Sequence, residues 1–148
     1  MDTAYKTTLE LDKVLNRAVQ LCACQETKEM MQALEPAPTI EDERYDLTQT
    51  NAINALLIKN GSPRFGSVRE VRRIVAHARK GGILSMGELL EIAATLRNFS
   101  GLSQWYGLSE HEMLPTDDLF FALAPQPVLE KQISESILSP EEMADTAS

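Results

Sequence analysis

The sequence predicts an all-α fold, an irregular bundle of about seven helices. Two observations favour this fold. Only 5% of the 148 residues are aromatic, which favours a helical core of Leu, Ile, Val, Ala and Met over a strand-rich sandwich. Apolar residues also recur three and four positions apart in successive segments that glycine and proline separate. With 43% hydrophobic and 24% charged residues, the composition is that of a soluble globular protein.

The first two helices are predicted on either side of the cysteines. One begins near Thr8, and its apolar stripe consists of Leu11, Val14, Leu15, Ala18 and Cys22. A shorter one spans residues 27–34 and ends before Pro36 and Pro38, which cannot continue a helix. Cys22 and Cys24 lie two residues apart and point in different directions on a helix. Their spacing therefore predicts free thiols rather than a zinc site or a disulfide.

A longer helix is predicted over residues 40–59. Thr39 can cap its N-terminus, with Asp42 three residues later. The segment is rich in helix formers and almost free of breakers, and its length corresponds to about 30 Å. It ends at Asn60-Gly61. We expect this helix and the two that follow it to form the core.

The two following helices have clear limits in the sequence. The first runs from Val68 to Lys80 with an apolar row at Val68, Val71, Val75 and Ala78, and Gly81-Gly82 ends it in a left-handed turn. Ser85 and Glu88 form a capping-box pattern for the second. Its apolar face consists of Leu89, Ile92, Ala93, Leu96 and Phe99, and it continues past an interruption at Gly101 to Tyr106.

Two shorter helical segments are predicted near the end of the chain. Residues 119–123 form an apolar run of one or two turns that Pro125 ends. Pro127 suits the first turn of a final helix over residues 128–137. Its inward-facing residues are Leu129, Ile133 and Ile137.

The charge is distributed unevenly along the chain. The formal net charge is −8, but residues 64–80 contain six basic residues and one acidic residue, Glu70. This segment therefore carries +5 and the remainder carries −13. The six basic side chains are the candidate contacts with a nucleic acid or a protein interface: Arg64, Arg69, Arg72, Arg73, Arg79 and Lys80. Three interpretations stay open, namely a nucleic-acid contact, a solvated face paired with acidic helices and a dimer or interdomain surface.

The sequence offers no catalytic, cofactor-binding or metal-ligating residues. It lacks the G-x-x-x-x-G-K-[ST] phosphate loop. His77 and His111 are the two histidines, and no nucleophile stands at a recognisable spacing from either. His111 lies in the tripeptide E-H-E, but a metal site requires more ligands at a set spacing. The paired carboxylates all stand at predicted helix starts, where the helix dipole accounts for them.

Several segments together resemble the N-terminal region of the bacterial MutS-II family. They are T-L-E-L-D-K-V-L, P-R-F-G-S-V-R-E-V-R, G-G-I-L-S-M-G-E-L-L-E-I-A and M-A-D-T-A-S, in this order and spacing. The resemblance implies part of a MutS-like core and lever region. Residues 1–136 would form a helical N-terminal core module, and residues 137–148 a turn or short hairpin toward a lever helix. It also implies that the chain is a fragment of a larger protein.

The resemblance further implies a function for the parent protein. MutS-II proteins are ATPases that use ATP and magnesium, dimerise through the ATPase head and commonly carry a C-terminal Smr nuclease domain. They bind branched DNA, suppress homologous recombination and in some bacteria act on collided ribosomes. By this resemblance the chain is a structural and interaction module without catalysis of its own. Its expected partners are the lever and ATPase head of the parent, and branched DNA or ribosomal RNA.

Two other functions are compatible with the sequence. The first is a free-standing helical adaptor that binds a protein through residues 68–80 or 119–123. The second is a small helical enzyme that uses His77 or His111. No apolar run approaches the roughly 18 residues of a membrane span, and no basic-then-apolar leader stands at the start. We therefore expect a cytoplasmic protein.

Overall fold

The computed structural model describes residues 8–64, 66, 69–108 and 110–144. Within these residues it contains seven helices and one two-stranded antiparallel sheet, which confirms the predicted all-α class. The helices are α1 Leu11–Leu21, α2 Gln25–Gln32, α3 Ile40–Asn60, α4 Arg72–Arg79, α5 Met86–Tyr106, α6 Asp117–Phe121 and α7 Pro127–Ser136. The strands are β1 Ile137–Ser139 and β2 Glu142–Met143. No helix in the described part of the chain combines the length and apolarity needed to cross a bilayer.

The chain forms two compact units, Met1–Pro36 and Ala37–Ser148. In the first, α1 packs against α2, and Leu15 is buried. Helix α1 begins at Leu11, after Glu10 in a left-handed conformation, rather than near Thr8. The limits predicted for the helical module and the terminal hairpin, 1–136 and 137–148, stay a prediction.

Side-chain caps fix the starts of the two longest helices. The Thr39 hydroxyl accepts a hydrogen bond of 3.1 Å from the backbone N–H of Asp42. At the start of α5, the Ser85 hydroxyl accepts from the N–H of Glu88 (3.3 Å), while the Glu88 carboxylate accepts from the N–H of Ser85 (2.8 Å). Both caps were predicted from sequence and are confirmed. They satisfy backbone donors that have no partner inside the helix.

Helix α5 is shared by both hydrophobic clusters of the larger unit. At its C-terminal end, Trp105 and Tyr106 pack with Leu56 of α3. Toward its N-terminal end, Ala93 packs with Ile133 of α7 and Ile137 of β1. The expectation that α3 and its two followers form the core was therefore wrong in part, because α7 supplies the main partner of α5.

The basic helix differs from its predicted form. It begins at Arg72 rather than at Val68, which lies outside the described residues. Its buried residue is Ile74, whereas Val75 is 43% exposed and Ala78 is exposed. The predicted apolar row was therefore wrong: it included Val75 and Ala78, which are exposed, and left out Ile74, which is buried. A helix of eight residues makes little more than two turns, and Ile74 is its one buried side chain.

The last helix leads directly into the hairpin. Pro127 occupies the first turn of α7, as predicted. Strand β1 follows α7 without a linker and pairs antiparallel with β2, with Ile137 opposite Met143 and Ser139 opposite Glu142. A hydrogen bond of 2.9 Å from the N–H of Ala144 to the carbonyl of Ser136 closes the hairpin onto the end of α7.

Two glycines provide a matched test of the helix limits. Gly81 ends α4 with φ +81°, whereas Gly101 lies inside α5 and does not interrupt it. Neither has an atom within 4 Å of the position of an added Cβ. Gly81→Ala should lower the free energy of unfolding by about 1 kcal/mol, because a left-handed conformation is unfavourable for alanine. Gly101→Ala should raise it by about 0.5–1 kcal/mol, because alanine favours helix.

Thermal unfolding followed by circular dichroism measures both variants. Shifts of opposite sign, about 2–4 °C per kcal/mol, are expected. Equal shifts for the two variants would contradict these assignments.

Candidate interaction site

Four of the six candidate basic residues lie on one exposed face of α4 and its C-terminal cap, three within the helix and Lys80 directly after it. At about 100° per residue, Arg72, Arg73, Arg79 and Lys80 project from the half of the helix opposite buried Ile74. All four are exposed, and none forms an ion pair with a residue that the structure describes. We call these four residues the basic face of α4. Its cations can attract an anionic partner without first breaking an ion pair within the chain.

The other two candidates lie apart from the basic face. Nη1 of Arg69 is 3.8 Å from a carboxylate oxygen of Glu91 in α5, so this side chain faces the body of the unit. Both partners are substantially exposed, and such a pair contributes little to stability. Arg64 is exposed in the loop after α3. In the same loop, the N–H of Gly66 donates a 3.0 Å hydrogen bond to the side chain of Asn98.

His77 contributes to the end of α4. Its imidazole lies against Gly82, where an added Cβ would overlap the ring. The N–H of Gly82 also donates a 3.1 Å hydrogen bond to the carbonyl of His77. Gly82 therefore leaves room for the ring, and the arrangement accounts for both residues through local packing.

His111 belongs to a polar cluster that sequence reasoning missed. The buried Tyr106 hydroxyl is 2.9 Å from the Thr116 hydroxyl and donates a 2.6 Å hydrogen bond to Asp117. His111 Nε2 is 3.6 Å from the same carboxylate oxygen, and its ring meets the Tyr106 ring edge to face. The Tyr106 ring also stacks on the ring of Phe120, with the two ring centroids 3.8 Å apart. The sequence placed Tyr106 on an apolar helix face, and no spacing pattern linked it to Thr116 or Asp117.

The cluster shifts the pKa of Tyr106 and the pKa of Asp117 in opposite directions. Burial, and then the hydrogen bond to Asp117, raise the pKa of Tyr106 to about 12. The Tyr106 hydroxyl lowers the pKa of the Asp117 carboxyl below its ordinary value, and the N–H of Leu114 adds to this effect. The groups therefore satisfy one another at neutral pH: a neutral tyrosine donates to an ionised aspartate.

A cavity of about 440 Å³ adjoins this cluster, lined by Ser103, Tyr106, Gly107, His111, Phe120, Phe121 and Pro125. The Ser103 hydroxyl is buried and has no hydrogen-bond partner among the described residues. Within the same residues, no three His, Cys, Asp or Glu side chains converge as metal ligands would.

The Tyr106 cluster should make the free energy of unfolding fall at alkaline pH. The pKa of Tyr106 is raised in the folded state. The contribution of its neutral hydroxyl to stability is therefore complete below the ordinary pKa of 10.0 and is lost as pH rises toward about 12. Tyr106→Phe should remove this loss and lower the free energy of unfolding at neutral pH by about 1–3 kcal/mol, because Thr116 and Asp117 lose a partner. Urea unfolding at pH values from 7 to about 11.5 measures both effects.

Tyr45→Phe is the matched control. Its hydroxyl donates a longer hydrogen bond, 3.3 Å, to the Pro115 carbonyl from an exposed position. This variant should keep the alkaline loss of stability. If Tyr106→Phe keeps it as well, the assigned role of Tyr106 is wrong.

Sequence comparison places the whole chain among known proteins. It is 31% identical over 150 aligned residues to a protein named Endonuclease MutS2 from Ruminiclostridium cellulolyticum, covering all of this chain and 19% of that protein. It is 28% identical over 142 residues to Endonuclease MutS2 from Clostridium beijerinckii, covering 95% of this chain and 18% of that protein. With Endonuclease MutS2 from Halothermothrix orenii the identity is 28%, over 100% of this chain and 20% of that protein.

The chain thus spans about a fifth of the length of the curated relatives it matches. No family model and no solved structure matches it. The resemblance predicted from the sequence segments is confirmed, and the chain is homologous along its whole length to the N-terminal region of MutS2-like proteins of the MutS-II family.

Proposed function

We propose that this chain is the N-terminal structural and interaction module of a MutS-II type DNA-binding ATPase and endonuclease. The parent protein suppresses homologous recombination and acts on collided ribosomes in the cytoplasm. The module itself carries no catalytic residue and holds no cofactor. ATP and magnesium bind to the ATPase head of the parent, through which two copies dimerise.

The observation that carries this proposal is homology along the whole chain to one fifth of proteins named Endonuclease MutS2. The structure is compatible with a bracing role. Two helices of 21 residues each, α3 and α5, are joined at their C-terminal ends by a buried aromatic cluster. Long helices fixed to each other at one end can hold neighbouring segments of a larger protein at a set distance.

In this proposal the basic face of α4 is an interdomain surface rather than the main contact with a nucleic acid. The chain as a whole is acidic, with a net charge of −8. The eight-residue helix and the residue after it present only four cations. Each neutralised phosphate adds to both affinity and salt dependence, so four cations give a weaker and less salt-dependent contact than the six to ten of many DNA-binding proteins.

A free-standing adaptor is the second candidate. Leu119 and Phe121 of α6 are 59% and 73% exposed, and both lie in the run that the sequence singled out as a protein contact. An adaptor would bind its partner as an isolated chain. The bracing module would make its contacts inside one polypeptide.

Charge reversal in the full-length protein tests the proposal. Arg72→Glu/Arg79→Glu removes two cations from the basic face, whereas Arg44→Glu/Lys131→Glu makes the same change in charge on α3 and α7. Both variants should bind branched DNA and structured RNA within about twofold of each other between ~50 and ~200 mM salt, because nucleic-acid recognition lies elsewhere in the parent.

Fluorescence anisotropy with labelled nucleic acid measures the affinities. A loss of about tenfold or more confined to Arg72→Glu/Arg79→Glu, with a shallower salt dependence, would make the basic face a phosphate contact. That result would overturn the assignment of the basic face of α4 as an interdomain surface.

A further inference from the structure

Asn60-Gly61 is the only Asn-Gly pair in the 148 residues. In such a pair the backbone nitrogen of the glycine can attack the side-chain carbonyl carbon of the asparagine. Glycine favours this attack because it has no Cβ and adopts unusual backbone conformations readily. The other four asparagines are followed by residues that carry a Cβ: Asn16, Asn51, Asn54 and Asn98. The sequence therefore singles out Asn60 as the asparagine most prone to lose its side-chain amide.

The structure places this pair where the reaction is possible. Asn60 is the last residue of α3, and Gly61 follows it in an exposed position with φ +73°. Among the residues that the structure describes, none accepts a hydrogen bond from the Gly61 N–H. No atom lies within 4 Å of a Cβ added to Gly61, so the turn has room to rearrange. Asn51 and Asn54, in contrast, lie inside α3, where the N–H groups that follow them are bonded within the helix.

One hydrogen bond slows the reaction without preventing it. The side-chain nitrogen of Asn60, which would leave as ammonia, donates a 3.1 Å bond to the Trp105 carbonyl. Breaking a neutral hydrogen bond of average net strength reduces the reactive population only about fivefold. Asn60 is half-buried and the residue after it is exposed, so solvent lies beside the reacting atoms.

We infer that Asn60 is a site of spontaneous deamidation that loosens the joint between the C-terminal ends of α3 and α5. The Gly61 nitrogen gives up its proton and forms a bond to Cγ of Asn60. The Cγ–Nδ2 bond breaks, and the departing nitrogen takes up a proton and leaves as ammonia. Water then opens the resulting succinimide ring. Opening at the side-chain carbonyl gives aspartate, and opening at the backbone carbonyl gives isoaspartate, in which the backbone is longer by a methylene group.

Both products remove the donor that the Trp105 carbonyl accepts. The new carboxylate is an acceptor only, so two oxygen atoms repel each other where an N–H and an oxygen attracted each other. Its charge lies at the C-terminus of α3, where the helix dipole makes a negative charge unfavourable. In isoaspartate the longer backbone also displaces Gly61, whose carbonyl accepts the 2.7 Å bond from the Trp105 indole. The joint is weakened irreversibly, because the ammonia is lost.

Ageing of the folded full-length protein tests the reaction. Peptide mass spectrometry after incubation at physiological temperature measures the loss of the amide at each asparagine. Residue 60 should lose its amide at least about tenfold faster than Asn51 and Asn54, because only Asn60 is followed by a residue without a Cβ. The rate should be higher at mildly alkaline than at mildly acidic pH, because the attacking Gly61 nitrogen must be deprotonated. Equal rates at the three positions would overturn the inference.

Hydrogen exchange in the full-length protein measures the loosening of the joint. Asn60→Asp reproduces one of the two products. Asn98→Asp is the matched control on α5, because its side-chain oxygen accepts a 3.0 Å bond from the Gly66 N–H and a carboxylate can still accept it. Amides in the last turn of α3 should exchange about tenfold faster in Asn60→Asp than in the wild type, because the lost bond and the repulsion favour local opening. Asn98→Asp should leave their exchange unchanged.

The aged wild-type protein provides a second measurement, which holds even if Asn60→Asp fails to fold. Its deamidated fraction carries additional negative charge, so ion exchange separates it from the intact protein. This fraction should show the same faster exchange in the last turn of α3. Unchanged exchange there would overturn the inference even if the amide is lost. Neither measurement depends on nucleic-acid binding, so this inference and the proposed function can fail separately.

Discussion

The larger unit depends on a reciprocal pair of hydrogen bonds between the C-terminal ends of α3 and α5. The indole N–H of Trp105 donates to the carbonyl of Gly61 at 2.7 Å, and the side-chain amide of Asn60 donates to the carbonyl of Trp105 at 3.1 Å. The Trp105 carbonyl, which also accepts from the N–H of Leu108 at 3.2 Å, gains a second donor, and the carbonyl of Gly61, just after α3, gains one. Because Leu56 packs in the same place, the end of α3 is held both by apolar contact and by directional bonds.

Helix α3 is held to the unit along one side, at its C-terminal end by these bonds and by the packing of Leu56. Its N-terminal half is held through Gln49 and Tyr45, which both donate hydrogen bonds to Pro115. Exposed apolar residues remain on its opposite side.

Charge and hydrogen bonding are arranged differently on α4 and around Tyr106. On α4 and at its C-terminal cap, four cations face solvent and leave the surface open to an anionic partner. Around Tyr106, each polar group has its partner inside the cluster, and the shifted acidities follow from that mutual satisfaction. The first arrangement suits contact with another surface. The second suits stability, because a buried polar group with a partner holds one conformation.

The sequence by itself predicted that the chain is helical and placed several helix limits, because these depend on local chemistry, although it misplaced the starts of α1 and α4. Each of these limits involves residues that lie within four positions of each other. The examples are the cap at Thr39, the capping box at Ser85, the left-handed turn at Gly81 and the proline of α7. Only the tertiary structure decided that α7, rather than α4, packs most closely on α5. It also decided that Ile74 is buried and that Tyr106 meets Thr116 and Asp117. These contacts join side chains whose spacing in the sequence has no characteristic period, so no local pattern could predict them.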